Sequence, residues 1–181
     1  TLTVTNQSIE DGEKITVGTL DNVVYNGKKQ KQEPAVTTKD GKKTLVKGTD
    51  YTLSYSGDTK NVGEVTVTVT GQGNYSGKVQ IKYQITKAPL TVKTEGATRA
   101  YNGQPLTAPG TVTGFVEGEN AELQVTGKQT DVGSSKNTYN IVWTETTKAD
   151  NYQVSETVGT LTVTAQSIDP GTDPEKPNPD Y

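Results

Sequence analysis

The 181-residue chain contains no cysteine and no histidine. Without cysteine it has neither a disulfide framework nor thiol chemistry, and without histidine it has no His-based triad and almost no route to a zinc site. Phosphate-binding loops and dinucleotide-binding glycine fingerprints are absent too. Carboxylate-pair catalysis stays compatible with the composition, but no acid lies in an apolar stretch that would raise its pKa. We therefore expect a protein that is not an enzyme, with no catalytic residue, cofactor or metal site.

Long hydrophobic runs are also missing. No apolar run approaches the roughly 18 residues of a membrane helix, so we expect no membrane insertion. There is no signal peptide, and we expect the chain to be a piece of a longer protein. Hydrophobic residues make up 29% of the chain and the mean hydropathy is -0.69. This composition is poor for one large core and favours two thin all-β domains, each burying one face of each strand.

Charge is distributed unevenly along the chain. Residues 1–88 carry 12 lysines and 9 acidic residues, whereas residues 89–181 carry 6 basic and 12 acidic residues. The small positive excess of the first half is weak support for nucleic-acid binding. We predict no nucleic-acid partner and attribute the lysines to solvated strand faces and guarded sheet edges.

Two divergent copies of one sequence pattern follow each other. Each copy has a Tyr-Asn-Gly segment, then Asn/Asp-Val-Gly, then Asn-Tyr and a final alternating strand, and the copies are offset by roughly 75–80 residues, as in repeat arrays. The landmarks are Tyr25, Gly27, Gly63 and Tyr75 in the first copy and Tyr101, Gly103, Gly133 and Tyr152 in the second. Recurrence in both copies favours a structural role for these residues.

Nearly the same ten-residue segment occurs near both ends of the chain. The chain begins TLTVTNQSIE, and residues 160–169 read TLTVTAQSID. The second segment closes the second repeat, so we interpret residues 1–8 as the end of a preceding repeat and a hinge. Residues 9–88 are then the first repeat and residues 89–165 the second. Residues 166–181 are rich in proline and are predicted to be an extended linker or tail.

Strict alternation of apolar and polar residues predicts half-buried strands. The clearest segments are EVTVTVT, KVQIKYQIT, DYTLSYS, TYNIVWT and TLTVT. KDGK at residues 39–42 predicts a two-residue hairpin turn, because Asp-Gly accepts positive φ values, and residues 117–124 could hold one helical turn. The predicted fold class is all-β, with two tandem Ig-like or β-grasp-like sandwich modules and at most one short helical turn.

The aromatic side chains raise the question of ligand contact. Trp143 and Phe115 are the candidate contacts for a glycan, because exposed aromatic rings stack on sugars. The register of Trp143 with Tyr139 and Ile141 matches that of the first repeat's alternating valines, which favours core packing of the indole. An exposed aromatic cluster would favour direct adhesion, and a buried cluster would weaken the adhesion hypothesis.

These motifs resemble known families of bacterial surface repeats. The segments VVYNGKKQ, LVKGTDYTLSYS, NVGEVTVTVT and GNYSGKVQIKYQIT resemble the Ig-like repeats of large Firmicutes surface proteins. The segments AYNGQPL, GFVEGE and NYQVSETVGTLTVT resemble the MBG domain of adhesin-like proteins. The second repeat lacks the KGTDY hairpin signature, which leaves open whether the two copies have the same number of strands.

The resemblance implies an extracellular, Gram-positive protein attached to the cell wall or cell surface. Its implied function is that of a structural spacer or stalk repeat that presents adhesive domains, with neighbouring repeats of the same chain as partners. The alternative is a direct adhesion module that binds a host glycan, mucin or surface protein. A second alternative is a noncatalytic carbohydrate-binding module of a larger enzyme.

Overall fold

The computed structural model describes residues 3–167, and the regular secondary structure of this part of the chain is almost entirely β-strand, which confirms the predicted all-β class. One short 3-10 turn lies at Ala149–Asn151. The described residues contain no helix long and apolar enough to span a membrane. The strands are β1 Gln7–Ser8, β2 Ile15–Val17, β3 Val23–Val24, β4 Val36–Thr38, β5 Tyr51–Ser56, β6 Gly63–Gly71, β7 Tyr75–Ser76, β8 Lys78–Thr86, β9 Ala88–Thr94, β10 Ala97–Ala100, β11 Gly110–Thr113, β12 Ala121–Val125, β13 Gly133–Lys136, β14 Tyr139–Trp143, β15 Tyr152–Thr157 and β16 Thr160–Thr164.

The chain divides into two compact units that do not coincide with the two sequence repeats. The first unit contains the chain up to Leu90 together with Gly114–Asn120 and Trp143–Val154. The second contains Thr91–Thr113, Ala121–Val142 and the described residues from Ser155 onward. Two segments of the predicted second repeat therefore belong to the compact unit built mainly by the first.

The first unit is organised around a four-stranded sheet with the strand order β3-β8-β6-β5. β3 runs parallel to β8, whereas β8–β6 and β6–β5 are antiparallel. The side chains of Val65, Val67 and Val69 are fully buried, and the threonines between them lie on the opposite face, as the alternation predicted. Lys82 lies on the outer face of β8 and pairs with Glu64 at 2.7 Å.

Short strands complete the first unit. β1 pairs with β7 in parallel and β2 pairs with β4 antiparallel. Apolar side chains in and next to these strands form one cluster with β5 and β6: Ile9, Ile15, Val36, Leu45, Tyr51, Val69 and Tyr75. Gln7 and Ser8, predicted as part of a hinge, thus pair with Tyr75 and Ser76. The proposed domain boundaries stay predictions, and the parts of them that fall on residues 1–2 and 168–181 lie outside the described residues.

The second unit contains a three-stranded sheet with the order β10-β16-β13. β10 is parallel and β13 antiparallel to β16. Leu161 and Val163 of β16 are buried and pack with Leu106. Asn137 is fully buried beside this sheet, where its Nδ2 donates to the carbonyls of Glu95 at 2.9 Å and Ala108 at 3.0 Å.

The same register recurs around the closing strands β8 and β16. Gly63 faces Ile85 across the antiparallel pair of the first sheet, and Gly133 faces Val163 in the second. Both glycines have positive φ values, +150° and +143°. On the parallel side, Val23 faces Ile85 and Arg99 faces Val163. The sequence landmarks therefore occupy matching backbone positions.

Two local expectations have different outcomes. A hairpin forms at KDGK, but its loop is longer than the predicted two residues: Thr38 N donates to Lys43 O at 2.8 Å, so residues 39–42 all lie in the loop, and Gly41 adopts a positive φ of +70°. The helical turn expected within residues 117–124 is wrong, because Ala121–Val125 forms β12 and pairs with β14. The side chains of AELQV alternate between half-buried and exposed, which is the period of a β-strand and not of a helix.

The two predicted repeats differ by one strand. β2–β8 lie within residues 9–88, β1 at Gln7–Ser8 precedes the first repeat, and β9–β16 run from Ala88 to Thr164. The pairing differs as well: β5 extends the four-stranded sheet, whereas β12 and β14 form a separate two-stranded sheet.

Candidate interaction site

Four aromatic side chains converge within the first unit, and we call them the aromatic cluster: Tyr25, Phe115, Trp143 and Tyr152. The Trp143 and Tyr152 rings stack with centroids 5.9 Å apart and an interplanar angle of 25°. Phe115 meets Tyr152 edge-on at 5.4 Å, and Tyr25 does so at 5.9 Å. Such pairs contribute about 0.5–1.5 kcal/mol each beyond the apolar area that they bury.

The carboxylate of Glu119 joins two of these rings. The Tyr25 hydroxyl donates to Oε1, and the Tyr152 hydroxyl donates to Oε2 at 2.7 Å. The Tyr152 oxygen also accepts the backbone N–H of Val116 at 3.2 Å. Tyr25 and Tyr152 are each only 3% exposed. A single half-buried carboxylate thus satisfies two buried phenols that would otherwise be costly to desolvate.

Burial and the neighbouring carboxylate both act on these phenols. Desolvation, followed by the hydrogen bond to Glu119, raises the pKa of Tyr25 to about 12. The same two causes raise the pKa of Tyr152 well above its ordinary value. Both hydroxyls are therefore neutral donors at physiological pH.

A second polar contact lies beside the aromatic cluster. Asn151 Nδ2 donates to Asn61 Oδ1 at 2.9 Å, and Asn151 Oδ1 accepts the backbone N–H of Val62 at 3.0 Å. Asn151 is 2% exposed, so both ends of its amide need such partners. The amide acts as a two-point clamp on the Asn-Val-Gly turn.

Asp58 orients the Asn61 side of this clamp. Asn61 donates through Nδ2 to Asp58 Oδ2 at 2.6 Å and through its backbone N–H to Oδ1 at 3.2 Å. These bonds, with that of the Lys60 N–H, lower the pKa of Asp58 to about 2. Because the Asn61 amide nitrogen is held by Asp58, its oxygen is directed at Asn151.

The Tyr-Asn-Gly turn is also covered in the first unit. Gly27 has a φ of +76°, and a Cβ placed on it would lie 3.1 Å from Val116 Cγ2. Asn26 Oδ1 accepts the Lys28 N–H at 2.9 Å, which stabilises the turn. Lys28 pairs with Glu117 at 3.3 Å, but both side chains are exposed and such a pair contributes little.

The predicted ligand-contact residues are half-buried rather than free. Trp143 and Phe115 pack edge-on against each other at 6.2 Å. Their assignment as ligand contacts stays a prediction. Of the landmark tyrosines, Tyr75 is 8% exposed and its hydroxyl accepts Lys43 Nζ at 3.1 Å, whereas Tyr101 is 41% exposed.

Sequence reasoning did not single out Glu119 or Asn151. Glu119 lies in the segment for which the sequence allows a helical turn, and its partner Tyr25 is 94 residues away in sequence. A signal for Asn151 was available: an asparagine precedes the landmark tyrosine in both copies, as Asn74 and Asn151. No local pattern distinguishes the buried copy from the exposed one.

An open cavity of about 630 Å³ lies in the second unit, lined by Lys136, Thr138, Tyr139, Glu156 and Val158. The Tyr139 hydroxyl donates to Glu156 Oε2. Desolvation and this hydrogen bond raise the pKa of Tyr139 to about 12. An aromatic ring beside charged groups could contact a polar ligand such as a sugar. Within residues 3–167, no group of three or more acidic side chains is placed to hold a metal ion.

Comparison with known proteins finds a similarity over part of the chain. Residues 90–162 match the family described as MBG domain (YGX type). This match supports a repeat domain of surface proteins in that part of the chain, and the domain type is noncatalytic. Neither the curated proteins nor the solved structures provide a match to this chain.

Proposed function

We propose that this chain is a load-bearing spacer of a cell-surface protein, built from tandem repeats that hold adhesive domains away from the cell. The proposal places it outside the cell, attached to the cell wall or surface of a Gram-positive bacterium. The MBG match over residues 90–162 supports a surface-protein repeat. The spacer role rests on the geometry of the closing strands.

Each closing strand is central in its sheet. β8 lies between β3 and β6, and β16 lies between β10 and β13. Tension that leaves a repeat through such a strand acts along the strand and loads hydrogen-bonded ladders on both of its edges together. The parallel partner resists by shear, because its bonds are distributed along the direction of pull. This placement of β8 and β16 is the observation that carries the proposal.

The aromatic cluster supports the same function. Tyr25 and Tyr152 bury their rings and use their hydroxyls on Glu119. Trp143 stacks on Tyr152 inside the first unit. These side chains stabilise the fold, and rings used in this way are poorly available for stacking on a sugar.

The proposal is tested by stretching the chain from its two ends in a force spectrometer. Tyr101 N donates to Thr164 O at 2.8 Å at the end of the β10–β16 ladder. Tyr101→Pro deletes this donor, and we expect the second unit to unfold at lower force. Tyr101→Ala keeps the N–H and is the matched control, with an unfolding force near that of the natural chain. Equal forces in all three chains would contradict the load-bearing role of this ladder.

Direct adhesion is the second candidate, and the cavity beside Tyr139 and Glu156 is the observation that favours it. It is tested by applying the natural chain, Tyr139→Ala and Trp143→Ala to a glycan and mucin array, with circular dichroism to confirm folding. Saturable binding lost in folded Tyr139→Ala would establish an adhesive site in the second unit. Loss only in folded Trp143→Ala would locate it at the aromatic cluster. The spacer proposal predicts no saturable binding in any of the three.

A further inference from the structure

We propose that the end of the second repeat carrying Tyr101, Gly103, Asp131 and Val132 is a docking surface for a further repeat of the same type. The docked repeat would use loops equivalent to Gly114–Asn120 and Ala149–Tyr152. This inference rests on the proposed spacer function and deepens it, because it names the surface and the chemistry through which one repeat receives the next.

The two repeats place their turns in the same register. Tyr25 N donates to Thr86 O at 2.8 Å, and Tyr101 N donates to Thr164 O at the same distance. Gly63 and Gly133 face equivalent residues of the closing strands, so the Asn-Val-Gly and Asp-Val-Gly turns begin at equivalent points. The φ values of Gly27 and Gly103 are +76° and +75°. The first surface, formed by Tyr25, Gly27, Asn61 and Val62 of the first repeat, and the proposed docking surface are therefore equivalent in their backbones.

Their exposure differs consistently. In the first repeat Tyr25 is 3% exposed, whereas Tyr101 is 41% exposed. Val62 is half-buried, but Val132 is 57% exposed. A Cβ on Gly27 would meet Val116, and a Cβ on Gly103 would meet no atom within 4 Å. The first surface is covered by loops of the second repeat, and the equivalent surface is bare among the residues that the structure describes.

The residues that cover the first surface indicate the chemistry that a docked repeat would use. It consists of a loop carboxylate, Glu119, for the tyrosine hydroxyl and a buried amide, Asn151, for the Asn-Val turn. In the second repeat Asp131 replaces Asn61. A carboxylate oxygen accepts an asparagine N–H at least as well as an amide oxygen does. The Val132 N–H occupies the position from which Val62 donates to Asn151. The bare surface thus keeps the groups that the clamp requires.

Tyr101 and Val132 lie at the same end of the β10-β16-β13 sheet, and both side chains are exposed. Large apolar side chains at the surface mark interaction sites when they occur together with polar groups that fix orientation. The equivalent groups of the first repeat, Tyr25 and Val62, already bind residues of the second repeat. A further repeat would supply the same partners to Tyr101 and Val132.

The test uses an extended chain in which a second copy of residues 87–165 follows Thr164 directly. Thr86 and Thr164 end the closing strands β8 and β16, so the junction reproduces the one already present. Amide hydrogen exchange of Val132 is measured by NMR in the natural and the extended chain. Val62 serves as the internal reference, because its N–H is already bonded to Asn151.

We expect exchange of the Val132 N–H to slow at least about tenfold in the extended chain. Asn151→Ala in the added copy alone should abolish this protection and leave that of Val62 unchanged. Unchanged Val132 exchange in an extended chain whose added copy is folded would overturn the inference. Protection of Val132 that appears in the natural chain only at high concentration would also overturn it, in favour of a second copy of the chain as occupant. Neither result would alter the force response of the natural chain, so the spacer proposal is judged separately.

Discussion

Tyr25 and Tyr152 donate hydrogen bonds to the two oxygens of the same carboxylate, Glu119, while their rings meet edge-on at 5.9 Å. Tyr25 belongs to the predicted first repeat and the other two residues to the second. All three lie in one compact unit. The first repeat is thus folded together with two loops of the segment that follows it.

The Tyr25 hydroxyl contributes to stability through this carboxylate. Tyr25→Phe keeps the ring and removes the donor, so the free energy of unfolding should fall by about 1.5–3 kcal/mol, the usual value for a hydrogen bond to a charged group. Urea denaturation followed by the fluorescence of Trp143, the only tryptophan, measures this change. The matched control is Tyr101→Phe, which should change stability by less than about 0.5 kcal/mol. Equal losses in both variants would refute a special role for the Glu119 contact.

Replacing Asn151 should also cost more stability than replacing the equivalent residue of the other copy. Asn151→Ala removes two hydrogen bonds and leaves the half-buried Val62 N–H without its acceptor, so we expect a loss of about 1–3 kcal/mol in the free energy of unfolding. Asn74 is the equivalent residue of the first copy and is exposed. Asn74→Ala should be nearly neutral. Thermal unfolding followed by circular dichroism compares the two, and a larger effect of Asn74→Ala would contradict the clamp.

Alkaline pH should destabilise the fold. Unfolded tyrosine ionises near pH 10, whereas the folded-state pKa of Tyr25 is about 12. Between these values the unfolded chain releases a proton that the folded chain retains, so the free energy of unfolding falls as pH rises. The contribution is fully present below pH 10. Urea denaturation at about pH 9 and about pH 11 should show the fall, and Tyr25→Phe should reduce it. An identical pH dependence in the variant would show that Tyr25 does not contribute.

The regular strands could be predicted because their alternation reflects burial. β6 and β8 carry strict alternation, and both follow the predicted faces. β13 could not be predicted in this way, because its sequence GSSK contains no apolar residue. It becomes a strand through pairing with β16, which no local pattern encodes.

The candidate site illustrates the same limit. The sequence indicates Trp143 as a candidate, but its stacking partner Tyr152 begins β15 and the carboxylate of Glu119 comes from the loop before β12. Tyr25 and Tyr101 have the same local motif and opposite exposure. What separates them is long-range packing, and a repeat pattern alone cannot show which copy is covered.

The most direct test of the spacer account compares two pulling directions across β10 and β16. The chain has no cysteine, so introduced cysteines give unique handles. Handles at Glu95→Cys and Ala165→Cys load opposite ends of the parallel pair and shear it. Handles at Asn102→Cys and Ala165→Cys load the same end and peel it. The account predicts a clearly higher rupture force for the shearing pair. Equal forces, or a higher force for peeling, would contradict the claim that the closing strand bears load along its length.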